Sequence, residues 1–192
     1  AMLRAWIAGA EIDGSPSGPR PPPGTDLRAL GAEVRLEGRD FDEAREWVER
    51  TAQAEGYRYV HSANEPLLIA GVGTASLEVM EDLPQVEVII VPIGAGSGAC
   101  GQCITAKAVN PRVMVIGVQA EGANPVFRSL KKGGMVSLER MATFAEGLAT
   151  RVPFALPMAI LRRSLDDIVL VSDEEMKLAI LLLAETVRQT AE

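Results

Sequence analysis

Residues 88–101, VIIVPIGAGSGACG, carry the strongest chemical signal in the sequence. A run of β-branched apolar residues ends in a glycine-rich turn, and the turn opens what reads as a helix. Glycine lets a backbone turn sharply and approach a ligand closely. The free amides of a helix N-terminus, together with the helix dipole, favour an anion. In open α/β sheets, ligands sit at the carboxyl ends of the strands. The segment is therefore a candidate phosphate-binding loop, the alternative being a tight strand-to-helix turn with nothing bound. Gly96, Gly98 and Gly101 also fit the dinucleotide fingerprint, with Glu121 beyond the next strand where a ribose-binding acid would stand. A nucleotide-binding Rossmann-type oxidoreductase is thus an alternative, although that fingerprint normally follows the first strand of its domain and much chain precedes it here. A P-loop is excluded, because no Gly-Lys-Ser/Thr follows.

The other reactive residue types give weaker signals. Cys100 and Cys103 form a CxxC after a strand, the spacing of a thioredoxin-type site. The glycines ahead of Cys100 are foreign to such a site, so two small residues packing a helix on a sheet is the favoured reading. The two cysteines and the single histidine, His61, are too few for a disulfide framework or a self-contained zinc site. His61 ends an expected strand and reads as a structural or surface residue. Asp166 and Asp167 read as a solvated turn, and Lys131 and Lys132 as complements to a helix C-terminus. Asp173, Glu174 and Glu175 suit a helix start.

The elements that must position the loop follow from the pattern around it. Residues 14–25, GSPSGPRPPPGT, should build no regular structure, so residues 1–25 read as a disordered tail, with a short helix over 2–10. Residues 33–37 alternate as a strand. Asp40 and Glu43 form a capping box for a helix whose buried face is Phe41, Ala44, Val48 and Ala52, ended by Gly56. Residues 57–61 read as a second strand and 62–64 as a turn. Pro66 opens a helix reaching about Met80. Then come a buried strand over 86–93, a helix over 99–109, a buried strand over 112–118, a helix capped by Asn124 and stopped at Gly133, a helical stretch over 158–165 and a strand over 168–171. Ser172 and Glu175 make a second capping box, with Val171 and Met176 as its hydrophobic staple, for a helix running to the chain end. Strands alternating with helices of this length predict an α/β class with parallel pairing.

Composition narrows the classes. A net charge of −7 without a basic cluster argues against nucleic acid. Apolar runs such as 179–184 are too short to span a bilayer, and no secretion signal is evident, so the cytoplasm is expected.

Six segments in order, LGAEVRL (30–36), GVGTASLE (71–78), VPIGAGSG (91–98), VIGVQ (115–119), AEGLA (145–149) and DIVLVSDEE (167–175), resemble the threonine/serine dehydratase group of the tryptophan-synthase-β-like (fold-type II) pyridoxal-phosphate enzymes. The resemblance covers residues 26–192. It implies a parallel-sheet large domain over 65–192, the remnant of a smaller α/β domain over 26–64, and pyridoxal phosphate as cofactor between them. The family's phosphate-binding tetraglycine loop maps onto Gly94, Ala95, Gly96 and Ser97, with Gly98 following, and Ser97 could add a hydroxyl donor. Gly147 falls in the stretch whose backbone lies near the cofactor ring. The implied reaction is β-elimination from a small amino-acid substrate, giving a 2-oxo acid and ammonia, and a homo-oligomer is compatible with it. The chain departs from the pattern by lacking the Ser-Phe-Lys-type segment with the Schiff-base lysine, the Ser-x-Gly-Asn loop and the late Ser/Cys-Gly-Gly segment. No residue is therefore assigned as catalytic, and a non-catalytic fragment or binding module is the alternative. Gln119, Ala123 and Pro125 stand where some relatives hold a metal, so none is expected.

Overall fold

The computed structural model describes residues 28–191, together with the backbone of residues 4–8. The chain divides into two compact units, Ala1–Val60 and His61–Glu192. The proline- and glycine-rich residues 14–25, expected as a tail, lie outside the described residues.

In the first unit β1 (Arg4–Ala8) pairs in parallel with β2 (Glu33–Glu37), from Arg4↔Glu33 to Ala8↔Glu37. A short helix was expected over 2–10. An isolated helix of that length is marginal, whereas a ladder with β2 satisfies the same backbone groups. Helix α1 (Phe41–Glu55) starts where Asp40 accepts the Glu43 amide. Glu43 completes a different bond from the expected box, accepting from the Arg39 amide at 2.9 Å. Ala44, Val48 and Ala52 are buried along one face, and Gly56 closes the helix at φ 71°, a left-handed conformation that suits glycine. Residues 57–61 are not a strand. Their alternation fits a pleated surface, but β-propensity counts only where a neighbouring strand takes up the hydrogen bonds.

The second unit is built on three parallel strands in the order β3 (Val88–Pro92), β4 (Met114–Ala120), β5 (Asp167–Val171). Val88 faces Met114 across one pair and Ile116 faces Asp167 across the other. Helices α2 (Pro66–Val72), α3 (Thr74–Asp82), α4 (Ser97–Val109), α5 (Pro125–Lys132), α6 (Ala155–Ser164) and α7 (Asp173–Thr186) complete it. Val91, Ile93, Val115 and Ile168 share one core with Ala99, Cys100, Cys103, Met158 and Leu161. The strands expected to be buried throughout are buried on that side alone. Ile90 is 69% exposed and Met114 46% on the other face.

The helix expected from Pro66 to Met80 is two helices meeting at Gly73. A Cβ on Gly101 would stand 2.6 Å from the Gly73 amide nitrogen and from the Ile69 carbonyl oxygen, and one on Gly73 would stand 2.7 Å from Thr105 Oγ1. The two glycines thus let α4 cross the α2–α3 junction backbone to backbone. Asn124 precedes α5, as expected, but its side chain makes no capping bond and its buried Oδ1 has no partner. The capping box of Ser172 and Glu175 forms in full. The final helix stops at Thr186, short of the chain end. Arg188 takes φ 57°, and the Val187 and Gln189 amides both return to the Leu183 carbonyl, so the helix closes in a left-handed turn without glycine. Among the described residues, no helix is long and apolar enough to cross a membrane.

Candidate functional site

The loop at the carboxyl end of β3 is shaped by two glycines with different duties. The Ile93 amide makes the last bond to the sheet, to Val118 O at 2.8 Å. A Cβ on Gly94 would stand 3.0 Å from Leu148 Cα, so Gly94 admits the 3-10 turn Glu146–Leu148. Gly96 has φ 98° and packs against Pro157 and Leu161 of α6, at 3.3 and 3.2 Å from the position of a Cβ. Gly94 and Gly96 are buried, whereas Ala95, Ser97 and Gly98 open to one side. A Cβ on Gly98 would meet no atom within 4 Å.

Cys100 N–H donates to Gly96 O at 2.9 Å, the first bond of α4, and no side chain caps the helix. Among the described residues, the amides of Ala95, Gly96, Ser97, Gly98 and Ala99 donate to no protein oxygen. Donors left without a partner are costly unless water or a ligand meets them. Five such amides at a helix N-terminus, of which those of Ala95, Ser97 and Gly98 belong to half-buried residues, fit the phosphate of the cofactor implied above.

Gly147 is the other expected cofactor residue. It sits in the turn that meets Gly94 through Leu148, and a Cβ on it would meet nothing within 4 Å. The approach to this turn is tied to α7. Asp173 accepts from Thr143 Oγ1 at 2.7 Å and from the Phe144 amide at 2.9 Å. The Thr143 bond, reinforced by the Phe144 amide and Lys177, holds the Asp173 carboxyl below the ordinary carboxylate range.

The Ser97 hydroxyl donates to Ser62 O at 3.2 Å. Ser62 lies in a turn that the sequence marks only as a connection. His61 Nδ1 accepts from the amides of Ala63 and Asn64 at 2.9 and 3.0 Å, and Asn64 Oδ1 accepts from the Leu156 amide at the start of α6 at 3.0 Å.

Gln119 was also missed. Fully buried near the end of β4, it donates from Nε2 to Gly94 O at 3.3 Å and accepts at Oε1 from the Phe127 amide at 2.9 Å. An unpaired buried amide costs about 1–3 kcal/mol, so a polar residue here is tolerable only as a strap with both ends tied. The signal was available: Gln119 is the one polar residue in the otherwise apolar run 113–120.

The remaining candidates lie elsewhere. Cys100 and Cys103 are fully buried, and Cys100 Sγ donates to Pro157 O at 3.4 Å. Burial pushes the two thiols up to about 12 and about 11, leaving them protonated and unreactive at neutral pH. Of the four lysines, Lys107 pairs with Asp166, Lys131 lies over the Phe127 ring, Lys132 ends α5, and Lys177 pairs with Glu174. Asp166, expected as a solvated turn, therefore has a structural partner. Among the described residues, no three or more His, Cys, Asp or Glu side chains gather as a metal site.

The pyridoxal-phosphate dependent enzyme family matches residues 24–192. The L-threonine ammonia-lyase of Thermotoga maritima is 43% identical over 168 residues, which are 88% of this chain and 42% of that protein. The catabolic L-threonine dehydratase of Escherichia coli is 35% identical over 177 residues, which are 91% of this chain and 54% of that protein. Threonine deaminase isoform 2 of Solanum lycopersicum, in its processed form, superposes with a TM-score of 0.81 at 30% identity, over 86% of this chain and 48% of that one. The chain thus spans about half the length of these relatives. With its parallel sheet, its glycine loop and a match across nearly its whole length, the chain belongs to the pyridoxal-phosphate-dependent enzyme family.

Proposed function

We propose that this chain supplies the phosphate clamp of a threonine/serine dehydratase, an enzyme that eliminates water from a hydroxy amino acid to give a 2-oxo acid and ammonia. The observation that carries the reading is the set of amides from Ala95 to Ala99, without acceptors, around the open space at Gly98. Relatives named for threonine ammonia-lyase and threonine deaminase activity support the reaction class. When bound, pyridoxal phosphate supplies the electron sink for the carbanion of the elimination. The chain's own residues bind and orient. Ala95, Gly96, Ser97, Gly98 and Ala99 offer amides to the phosphate, each charge-assisted bond contributing about 1.5–3 kcal/mol. The α4 dipole adds to the attraction. Gln119 holds the Gly94 carbonyl, and so the loop's entry, at a fixed distance from α5. Gly147 brings backbone, without a side chain, to the cofactor's ring side. The cytoplasm and an assembly of like chains belong to the same reading.

A second reading concerns the 192 residues alone, as a binding module without turnover. It is favoured by the lysines, of which Lys107 in particular is held by Asp166 rather than by the loop.

A chimaera tests the function. Residues 26–192 replace the matching segment of the Thermotoga maritima relative, and 2-oxo acid formation from threonine and serine is followed. Retained turnover with tight pyridoxal-phosphate binding is expected. A folded chimaera that binds the cofactor but turns over neither substrate would refute the assignment.

A further inference from the structure

The turn that follows His61 is joined to the phosphate loop in two ways. Ser62 O takes the Ser97 hydroxyl, and Asn64 Oδ1 takes the Leu156 amide at the head of α6, the helix whose Pro157 and Leu161 wall Gly96. The turn itself is templated by one atom. His61 Nδ1 accepts from both Ala63 and Asn64, and the ring, 9% exposed, meets Phe154 edge-on at 4.5 Å between centroids. An imidazole nitrogen can accept two amides only while it carries no proton.

We infer that His61 is a positioning residue for the phosphate loop, and that protonating its imidazole releases the turn and weakens anion binding at residues 94–99. The inference rests on the phosphate reading above. A proton on Nδ1 would point at two amide donors, so the charged ring abandons both bonds. Ser62 and Asn64 then lose their fixed positions, and Ser97 and the head of α6 lose theirs in turn. Among the described residues, charged and titratable groups on the neighbouring elements include Glu65 on the same turn, Cys100 in α4, Arg151 ahead of Phe154, and Arg162 and Arg163 in the last turn of α6. Glu65 is committed to the Leu67 amide at 3.2 Å, and burial pushes the Cys100 thiol up to about 12. Just before His61 stand Arg58 and Tyr59, whose phenol burial pushes up to about 12. His61 is the sole histidine of the sequence, and imidazole is the side chain whose ordinary titration lies between about pH 5 and 8.

Sulfate is the probe, because its charge is constant over this range whereas phosphate's is not. Binding to the full chain is measured by calorimetry at about pH 7.5 and about pH 5, for the wild type, His61→Asn and His61→Leu. Asparagine offers an oxygen to amides two residues on and does not titrate. The wild type should bind roughly tenfold more weakly in acid. His61→Asn should bind like the neutral wild type at both pH values, and His61→Leu weakly at both. Protection factors at Ala63 and Asn64, taken against the intrinsic exchange rate at each pH, should fall in acid in the wild type and stay constant in His61→Asn. A wild type with tight, pH-independent binding, or a His61→Asn variant with the same acid loss, overturns the inference and leaves the loop assignment standing. No sulfate binding at any pH overturns both. If His61→Leu fails to fold, the wild type and His61→Asn decide between these outcomes.

Discussion

The two ends of the three-stranded sheet treat polar groups in opposite ways. At the amino end of the strands, Lys107 Nζ donates to Val113 O and to Asp166 Oδ2, each at 2.6 Å, and the same carboxylate oxygen accepts the Val115 amide at 2.7 Å. Charge, backbone donor and backbone acceptor satisfy one another there. At the carboxyl end, among the described residues, five consecutive amides have no acceptor, no side chain caps α4, and a Cβ on Gly98 would meet nothing within 4 Å. One helix, α4, spans both ends, with its open N-terminus in the loop and Lys107 in its last turn. The contrast teaches that charged residues need not mark the reactive end. Here the charges close the structure and the uncharged backbone makes the candidate site.

Substitutions can break or sharpen that contrast. The largest effect is expected from Gly101→Val, which places a Cβ 2.6 Å from two backbone atoms of the α2–α3 junction. Neither can give way easily, so stability should fall by about 3 kcal/mol, read from the denaturant midpoint. Next comes Gly98→Asp. The position is open, and a carboxylate suits a helix N-terminus, so the fold should hold or gain slightly. The same carboxylate occupies and repels at the phosphate position, and affinity for pyridoxal phosphate should drop by at least about tenfold. A variant that lost stability and affinity together would contradict the division of roles between Gly101 and Gly98.

Lys107→Met addresses the closed end and should cost about 1 kcal/mol, because the pair is partly exposed and screened. Phosphate affinity should be unchanged. The pair also gives a pH signature. Burial would raise the Asp166 carboxyl, but the Lys107 hydrogen bond, the Val115 amide and the Lys107 charge together hold it below its ordinary range. Its contribution is therefore present above the ordinary carboxylate range and fades as pH falls through the lowered value. That acid-limb loss of stability should shrink in Lys107→Met, where the Val115 amide alone still favours the carboxylate, as seen in urea denaturation at stepped pH. The smallest effect belongs to the cysteines. With thiols at about 12 and about 11, alkylation of the native chain at neutral pH should be negligible, and Ala at both positions should leave phosphate affinity within about twofold.

What could be read in the sequence was local. The glycine loop between a β-branched run and a helix, the Ser172 capping box and the left-handed Gly56 all depend on residues within a few positions of one another. The residues that hold the candidate site depend on distant partners. Ser97 meets Ser62 across 35 positions, and Lys107 meets Asp166 across 59. No periodicity encodes such pairs. The strand expected over 57–61 failed for a related reason, since its alternation says what a strand could bury but not whether another strand stands beside it. Gln119 was the legible exception, a polar residue where an apolar one would pack. Its meaning lay in the support of the loop, not in the metal position that the family resemblance attached to it.

The most direct test of the phosphate clamp is a titration of the labelled chain with inorganic phosphate, followed by the amide resonances. The amides of Ala95, Gly96, Ser97, Gly98 and Ala99 should shift most, saturate together and give one dissociation constant, while those of Val113 and Val115 stay still. Saturable shifts centred elsewhere, or loop amides unmoved at saturating phosphate, would contradict it.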